Sequence, residues 1–284
     1  MARLTTFGAM QLPEPSTVAG QSGLAAVLAE PARAVVAVDF DGTLAPIVTL
    51  PEDARPVPGA VDALRALAAR VGTVAVVTGR PADVVVELGG LATIPRLHVL
   101  GHYGLQNWYD GSLHSPEPDP AIDDVRRRLP ALLADAPEGV GVEDKVHSLV
   151  VHTRPAADPA AALAAVTPRL ERIAAEVGLE AVPGRLVIEL RPRGIDKGTA
   201  LLHLVREREA HAVVFVGDDL GDLPAFDTVD MLRADGVPGV TVASADPDLD
   251  DTPAALAERA DLVLMGPTAV VEFLTALAAA VGDS

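Results

Sequence analysis

The pattern of apolar and polar positions changes character along this chain. Five apolar residues, Ala34 to Val38, run unbroken into a carboxylate, and similar runs recur at 73–78, 97–100, 211–216, 239–243 and 261–264. Short, continuous, β-branched runs of this kind predict strands buried on both faces, as in a parallel sheet. Between them apolar residues fall at helical spacing over 59–70 (Val61, Leu64, Leu67, Ala68) and near 81–88, 197–209 and 222–227. Strands alternating with helices predict an α/β fold built on a doubly wound parallel sheet. The first 33 residues read as a lead-in: 1–20 mix Pro, Gly, Ser and Thr without a period, and 23–30 suit a short helix. The apolar stretch at the far end is interrupted by Glu272 and predicts an amphipathic helix.

The middle of the chain, 108–191, follows a different rule. Strand-like segments at 140–145, 148–154, 179–182 and 185–191 accompany helical segments near 119–134 and 158–177. In the second helix Leu163, Val166, Leu170, Ile173 and Val177 form one apolar stripe. The strands alternate: Leu149, Val151 and Thr153 oppose Ser148, Val150, His152 and Arg154, while Leu186, Ile188 and Leu190 oppose Arg185, Val187, Glu189 and Arg191. Glu143 and Lys145 extend the polar set. Alternation of this type predicts a small sheet with helices on one face and an open polar face on the other. The expected organisation is a core of 34–107 and 192–284 with an inserted α+β domain of 108–191, whose charged face covers something.

Chemistry concentrates where the buried runs stop. Asp39 and Asp41 leave the first strand two residues apart, so they share a direction, at the carboxyl end where open α/β sheets hold ligands. Unpaired carboxylates repel, and the site calls for a cation or a shared proton. A calcium loop fails on spacing, because Gly42 falls at the fourth position and Leu50 where the bidentate Glu belongs. The run Phe215-Val216-Gly217-Asp218-Asp219-Leu220-Gly221-Asp222 ends in the same way. Asp218 or Asp219 could complete a hard oxygen site with Asp39 and Asp41, for which Mg²⁺ is the best-suited ion. Asp219 or Asp222 could equally be helix caps. Lys197, in Gly194-Ile195-Asp196-Lys197-Gly198, opens a helix and is suited to neutralising phosphate oxygens. Thr78 ends the strand Val76-Val77 and offers a hydroxyl donor.

The formal charge of −18 over 284 residues excludes a general affinity for nucleic acid or anionic membrane. It demands local positive charge wherever an anion binds. The absence of cysteine removes disulfides, thiolate metal sites and cysteine nucleophiles. No run reaches the ~20 apolar residues of a membrane span, and no signal-peptide pattern opens the chain. A cytoplasmic location is expected, and a monomer is compatible with everything so far. No Walker A sequence, Gly-x-Ser-x-Gly elbow or His-Glu-x-x-His is present.

The four elements, in this order, resemble the motifs of the haloacid dehalogenase superfamily: Asp39-Phe40-Asp41-Gly42-Thr43, Thr78, Lys197 and Gly217-Asp218-Asp219-Leu220-Gly221-Asp222. The insertion is similar to that superfamily's C2-type cap. Within it the chain resembles the trehalose-6-phosphate phosphatases over about 34–275. The strings that carry this likeness are Thr78-Gly79-Arg80, Gly101-His102-Tyr103-Gly104, Glu143-Asp144-Lys145, His152-Thr153-Arg154 and Glu189-Leu190-Arg191-Pro192. One departure is that Gly221, Asp222 and Leu223 stand where that family usually shows Thr-Asp-Glu. The resemblance implies an aspartyl-phosphate mechanism with Asp39 as nucleophile, Asp41 as acid and base, and Thr78 and Lys197 on the phosphate. It also implies Mg²⁺ on Asp39, the Asp41 carbonyl and Asp218, supported by Asp219 and Asp222. Phe40, Gly79, Arg80, His102 and Gly104, with Glu143, Lys145, His152, Arg154, Glu189 and Arg191 of the cap, are then expected at a small-molecule sugar phosphate. Other sugar phosphates (sucrose phosphate, mannosyl-phosphoglycerate) and a catalytically silent binding module are the competing expectations.

Overall fold

A computed structural model describes residues 12–184, 186–245 and 254–282. Residues 1–11 of the expected lead-in and Arg185 of the expected polar cap face lie outside the described residues. The chain divides into two compact units, Met1–His114 with Asp196–Ser284, and Ser115–Ile195.

In the first unit the strands are β1 (Ala34–Val38), β2 (Thr73–Val77), β3 (Leu97–Gly101), β4 (Gln106–Tyr109) and β5 (Ser112–His114). After the second unit, whose strands are β6 (Gly141–Asp144), β7 (Leu149–His152), β8 (Leu179–Gly184) and β9 (Val187–Pro192), come β10 (Ala212–Gly217), β11 (Gly239–Ala245) and β12 (Leu262–Met265). The first unit's sheet runs β12-β11-β10-β1-β2-β3-β4-β5. All neighbours from β12 to β3 are parallel, and β4 and β5 close one edge antiparallel. The chain winds outward from β1 in one direction through β2 and β3, and from β10 in the other through β11 and β12. The carboxyl ends of β1 and β10 therefore flank a topological switch point, where such sheets open a crevice.

Every residue of β1 and β2 is buried, as their unbroken apolar runs predict. Alternate side chains serve two layers. Val36, Val38, Val74 and Val76 pack with α1 (Val18–Ala29), α2 (Ala60–Ala68), α3 (Ala82–Gly89) and α9 (Gly266–Gly282). Val35, Ala37, Val77 and Phe215 pack with α6 (Lys197–Glu207) and α7 (Leu223–Ala234), beside the short α8 (Ala254–Arg259). Helix α7 runs well past the expected end at 227, because Val229 and Leu232 continue the buried face begun by Phe226. No helix among the described residues is long and apolar enough to cross a membrane.

The insert is expected at 108–191, whereas the second compact unit is Ser115–Ile195. Residues 108–114, assigned to the insert from sequence, form the β4–β5 hairpin on the core sheet, with Trp108 paired to Val99 and buried in the core. Its two-residue turn, Asp110 (φ 47°) and Gly111 (φ 79°), has the left-handed backbone of a type I′ turn. The described part of the lead-in is not loose either. Helix α1 packs on β10 and β11, close enough that a Cβ on Gly23 would stand 2.0 Å from the Gly239 carbonyl oxygen. Thr17 caps this helix and also donates to the buried Asp261, which holds Arg233 and the Thr241 amide as well.

The second unit is a four-stranded antiparallel sheet in the order β6-β7-β9-β8. Helices α4 (Pro120–Leu132) and α5 (Pro159–Val177), N-capped by Asp119 and Asp158, cover one face. Leu149, Val151, Ile188 and Leu190 join Val125, Leu129, Val166, Leu170 and Ile173 in its core. The register puts Glu143 beside Val150, Val150 beside Glu189 and Glu189 beside Val182, so these share the opposite face.

Candidate active site

Asp39 extends the β1 ladder, its amide donating to the Val216 carbonyl at 2.8 Å, and the residue is 5 % exposed. The chain then turns: Leu44 and Ala45 both donate to the Phe40 carbonyl, and Gly42 donates to Ala45. After that turn the two carboxylates take different cation partners. Asp39 Oδ2 lies 2.8 Å from Lys197 Nζ, whereas Asp41 is forked by Arg80, Nε to Oδ2 at 2.6 Å and NH2 to Oδ1 at 2.7 Å.

Lys197 stands at the first position of α6, capped by Asp196. A Cβ on Gly198 would come 2.2 Å from the Pro224 carbonyl oxygen, so α6 and α7 approach closely just where the lysine enters the site. Its Nζ, 5 % exposed with the rest of the residue, also meets Asp222 Oδ1 at 2.8 Å. The other Asp222 oxygen accepts the amides of Asp218 (3.0 Å) and Asp219 (3.2 Å). Asp219 caps the following turn, its side chain accepting from Gly221 in a capping box with Asp222. Asp219 is thereby committed to the helix start, and Asp218 is the residue that faces Asp39.

Gly42 makes this arrangement possible. Its φ is +69°, and a Cβ there would lie 1.9 Å from Asp218 Oδ2. Thr43 Oγ1 donates to Asp218 Oδ1 at 3.3 Å, and Ser244 Oγ donates to the Gly42 carbonyl at 2.7 Å. Neither Thr43 nor Ser244 was foreseen as a site residue. Thr43 is a buried hydroxyl in the turn after Gly42, and Ser244 is the last residue but one of β11, beside the Asp218 strand. A hydroxyl at a strand's carboxyl end was the available signal for Ser244.

Thr78 is 1 % exposed at the end of β2, with its amide on the Leu100 carbonyl and its Oγ1 accepting the Arg80 amide at 3.1 Å. Three successive residues, His102 (φ 47°), Tyr103 (φ 57°) and Gly104 (φ 94°), take left-handed backbone after β3. In that conformation the His102 amide bonds the Arg80 carbonyl and the Tyr103 amide bonds the Thr78 carbonyl. The Tyr103 hydroxyl lies over Gly79, where a Cβ would be 2.7 Å from it.

One oxygen from each of Asp39, Asp218 and Asp222 falls within a 4.8 Å cluster. Burial pushes all three carboxyls up, Asp218 to about 10; Asp222 raises Asp39, both of these raise Asp218, and Asp219 raises Asp222, while Lys197 opposes the rise in each. Burial alone would discharge Lys197, but Asp222 and Asp39 hold it cationic well above the usual range. Three carboxyls crowd around one ammonium, and their all-oxygen donor set suits a small hard cation.

In the second unit Glu143, His152, Glu189 and Arg191 share the sheet face away from the helices. Ser148 Oγ donates to Glu189 Oε1 at 2.6 Å, and Arg191 Nε donates to Glu180 Oε1 at 2.9 Å. Glu180, unforeseen, pairs with Arg191 across the strands. Lys145 follows β6, its amide on the Ser148 carbonyl. Arg154 stands in an exposed turn beyond β7, not on the strand where alternation would place it.

The fold is that of the haloacid dehalogenase class. A haloacid dehalogenase-like hydrolase from Bacteroides thetaiotaomicron superposes with a TM-score of 0.62 at 15 % identity, over 84 % of this chain and 97 % of its own. The trehalose-phosphatase family model matches residues 37–252, and the chain belongs to that family. A Mycobacterium avium trehalose-phosphate phosphatase is 39 % identical over 94 % of this chain and 67 % of its own length. One from Mycobacterium marinum is 37 % identical over 87 % and 62 %. A Mycobacterium tuberculosis protein described as an uncharacterized glycosyl hydrolase is 39 % identical over 69 % of this chain, which spans 15 % of its length. The C-terminal domain of Candida albicans trehalose-6-phosphate phosphatase shares the fold with a TM-score of 0.73 at 21 % identity, over 94 % and 99 % of the two chains. This chain thus spans less than two thirds of several relatives it matches.

Proposed function

We propose that the chain hydrolyses trehalose 6-phosphate to trehalose and phosphate through an aspartyl-phosphate on Asp39, with Mg²⁺ as cofactor. The observation that carries this reading is the buried Lys197 ammonium, 2.8 Å from both Asp39 and Asp222, with Asp218 in the same cluster at the sheet's switch point. The mycobacterial relatives, which are trehalose-phosphate phosphatases, support the substrate. Asp39, Asp218 and the Asp41 carbonyl would hold Mg²⁺, which supplies charge neutralisation of the phosphate.

The chain's own residues do the rest. Lys197 grips Asp39 Oδ2, which leaves Oδ1 to attack phosphorus. As the bond from phosphorus to the sugar oxygen breaks, Asp41 gives its proton to that oxygen and trehalose leaves. Asp41, now ionised, takes a proton from water as the water oxygen attacks phosphorus; the bond to Asp39 breaks and phosphate is released. Thr78 is free to donate its hydroxyl proton to a phosphate oxygen, because its Oγ1 already accepts from the Arg80 amide. Lys197 adds fixed positive charge, which reconciles an anionic substrate with a chain of net charge −18. Glu143, Lys145, His152, Arg154, Glu189 and Arg191 form the group proposed to read the sugar, since their donors and acceptors suit a hydroxyl-rich ligand.

Phosphate release from trehalose 6-phosphate, sucrose phosphate and mannosyl-phosphoglycerate in the presence of Mg²⁺ tests the reading. Trehalose 6-phosphate is expected to be turned over most efficiently, and Asp39→Asn to abolish release from it while the protein stays folded. Near-parent activity in that variant, or tight binding without phosphate release by the parent, would overturn the proposal.

A further inference from the structure

We infer that Arg80 is the positioning residue for Asp41, a role that replaces direct contact with the substrate. The inference rests on the proposed chemistry of Asp39 and Asp41. Its basis is how completely Arg80 is itself held. Its amide donates to Thr78 Oγ1 at 3.1 Å and its carbonyl accepts the His102 amide at 2.9 Å. Its NH1 donates to the Pro51 carbonyl at 2.7 Å, and the guanidinium carbon lies 5.9 Å from the centre of the Phe40 ring. The ends of β1, β2 and β3, together with the loop after β1, therefore fix one guanidinium plane.

That plane presents Nε and NH2 to the two oxygens of Asp41 at 2.6 and 2.7 Å. A bidentate fork of this kind sets the direction of a carboxylate as well as its distance. The Asp41 side chain is 29 % exposed and sits on a turn, so without the fork it has room to rotate. The fork occupies one acceptor site on each oxygen, and a carboxylate offers about four. The remaining sites are available for the proton that Asp41 passes to the sugar oxygen and later takes from water.

The fork also explains why the paired aspartates do not share a cation equally. Lys197 holds the buried Asp39, and Arg80 holds Asp41. Nucleophile and proton carrier are held by two different cations, one at the start of α6 and one just after β2.

The test compares Arg80→Ala, Arg80→Lys and Asp41→Asn on two substrates. With trehalose 6-phosphate the leaving oxygen needs a proton, and misplacing the carrier is expected to lower kcat about 10²-fold with KM within about threefold. With p-nitrophenyl phosphate the leaving group departs unprotonated, so formation of the aspartyl-phosphate stays fast while its hydrolysis slows. Rapid mixing is then expected to show a burst of about one nitrophenolate per site in Arg80→Ala and in Asp41→Asn. Arg80→Lys keeps the charge but not the fork and is expected to fall between parent and Arg80→Ala. A raised KM with unchanged kcat in Arg80→Ala would make Arg80 a substrate ligand and overturn the inference. So would equal loss on both substrates without a burst, when Asp41→Asn does show one. Absence of a burst in Asp41→Asn would instead overturn the roles given to Asp39 and Asp41, and the inference with them.

Discussion

Asp222 is fully buried and ties three things together: Lys197 through Oδ1, and the amides of Asp218 and Asp219 through Oδ2. Replacing it with Ala removes a charge-assisted hydrogen bond contributing about 2 kcal/mol and two ordinary ones of about 1 kcal/mol each. Against that gross loss of about 4 kcal/mol stands the relief of a crowded acidic cluster, since Asp222 raises the carboxyls of Asp39 and Asp218. Lys197 also retains Asp39 as a partner. A net cost of about 2–3 kcal/mol follows, which for a unit of this size lowers the melting temperature by roughly 5–10 °C. Asp222→Asn keeps an oxygen for the two amides but turns an amide nitrogen toward the ammonium, so it is expected to lose only about 1 kcal/mol. Thermal melts and urea titrations of the three proteins should rank parent, Asn, Ala. In both variants Lys197 is less firmly held, and turnover should fall at least ~10-fold. An Ala variant melting within 2 °C of the parent, or an Asn variant less stable than Ala, would refute the reasoning.

Gly42→Ala forces a left-handed backbone costing about 1–2 kcal/mol on a residue with a Cβ. The new methyl also displaces Asp218, whose oxygen is 1.9 Å from its position, and kcat should fall about 10²-fold with only a few degrees lost in melting temperature. An active Gly42→Ala protein would show that Asp218 is not held against the turn. His98 is a pH-sensitive element of the fold: its ring is buried, stacked on Tyr109 at 4.2 Å, and hydrogen-bonded to Asn107 and Arg208. Burial holds its pKa below the usual value, so the folded protein takes up the proton less readily than the unfolded chain. Stability present at neutral pH is therefore lost as pH falls below about 6.5, the unfolded value. The drop in urea midpoint between pH 7.5 and 5.5 should be smaller in His98→Asn than in the parent; an unchanged drop would remove His98 from the account.

Much of the core was legible before any coordinates, for a physical reason. A strand buried on both faces must be apolar throughout, and the chain carries few other unbroken β-branched runs, so β1, β2, β10 and β11 announce themselves. A polar residue directly after such a run stands at the carboxyl end of the sheet, which is how Asp39, Thr78 and Asp218 are found. The hairpin β4–β5 was equally readable from Asp110-Gly111, a two-residue turn favouring left-handed backbone, yet its short strands carry only weak alternation. Its place on the core sheet depends on pairing with β3, which no local pattern records.

Partners are what the sequence alone left open. Residues two apart on a strand share a direction only while the strand lasts, and the turn after Phe40 sends Asp39 to Lys197 and Asp41 to Arg80. Asp218 or Asp219 could serve as the metal ligand, and Asp219 or Asp222 as a helix cap. Capping geometry commits Asp219 to the helix start and Asp222 to Lys197 and two amides, leaving Asp218 facing Asp39. Residue types and their positions after buried strands thus defined what chemistry this chain can carry. Which carboxylate meets which cation was decided by the folding of distant segments onto one strand end, because pairing is a property of distance in space and not of spacing along the chain.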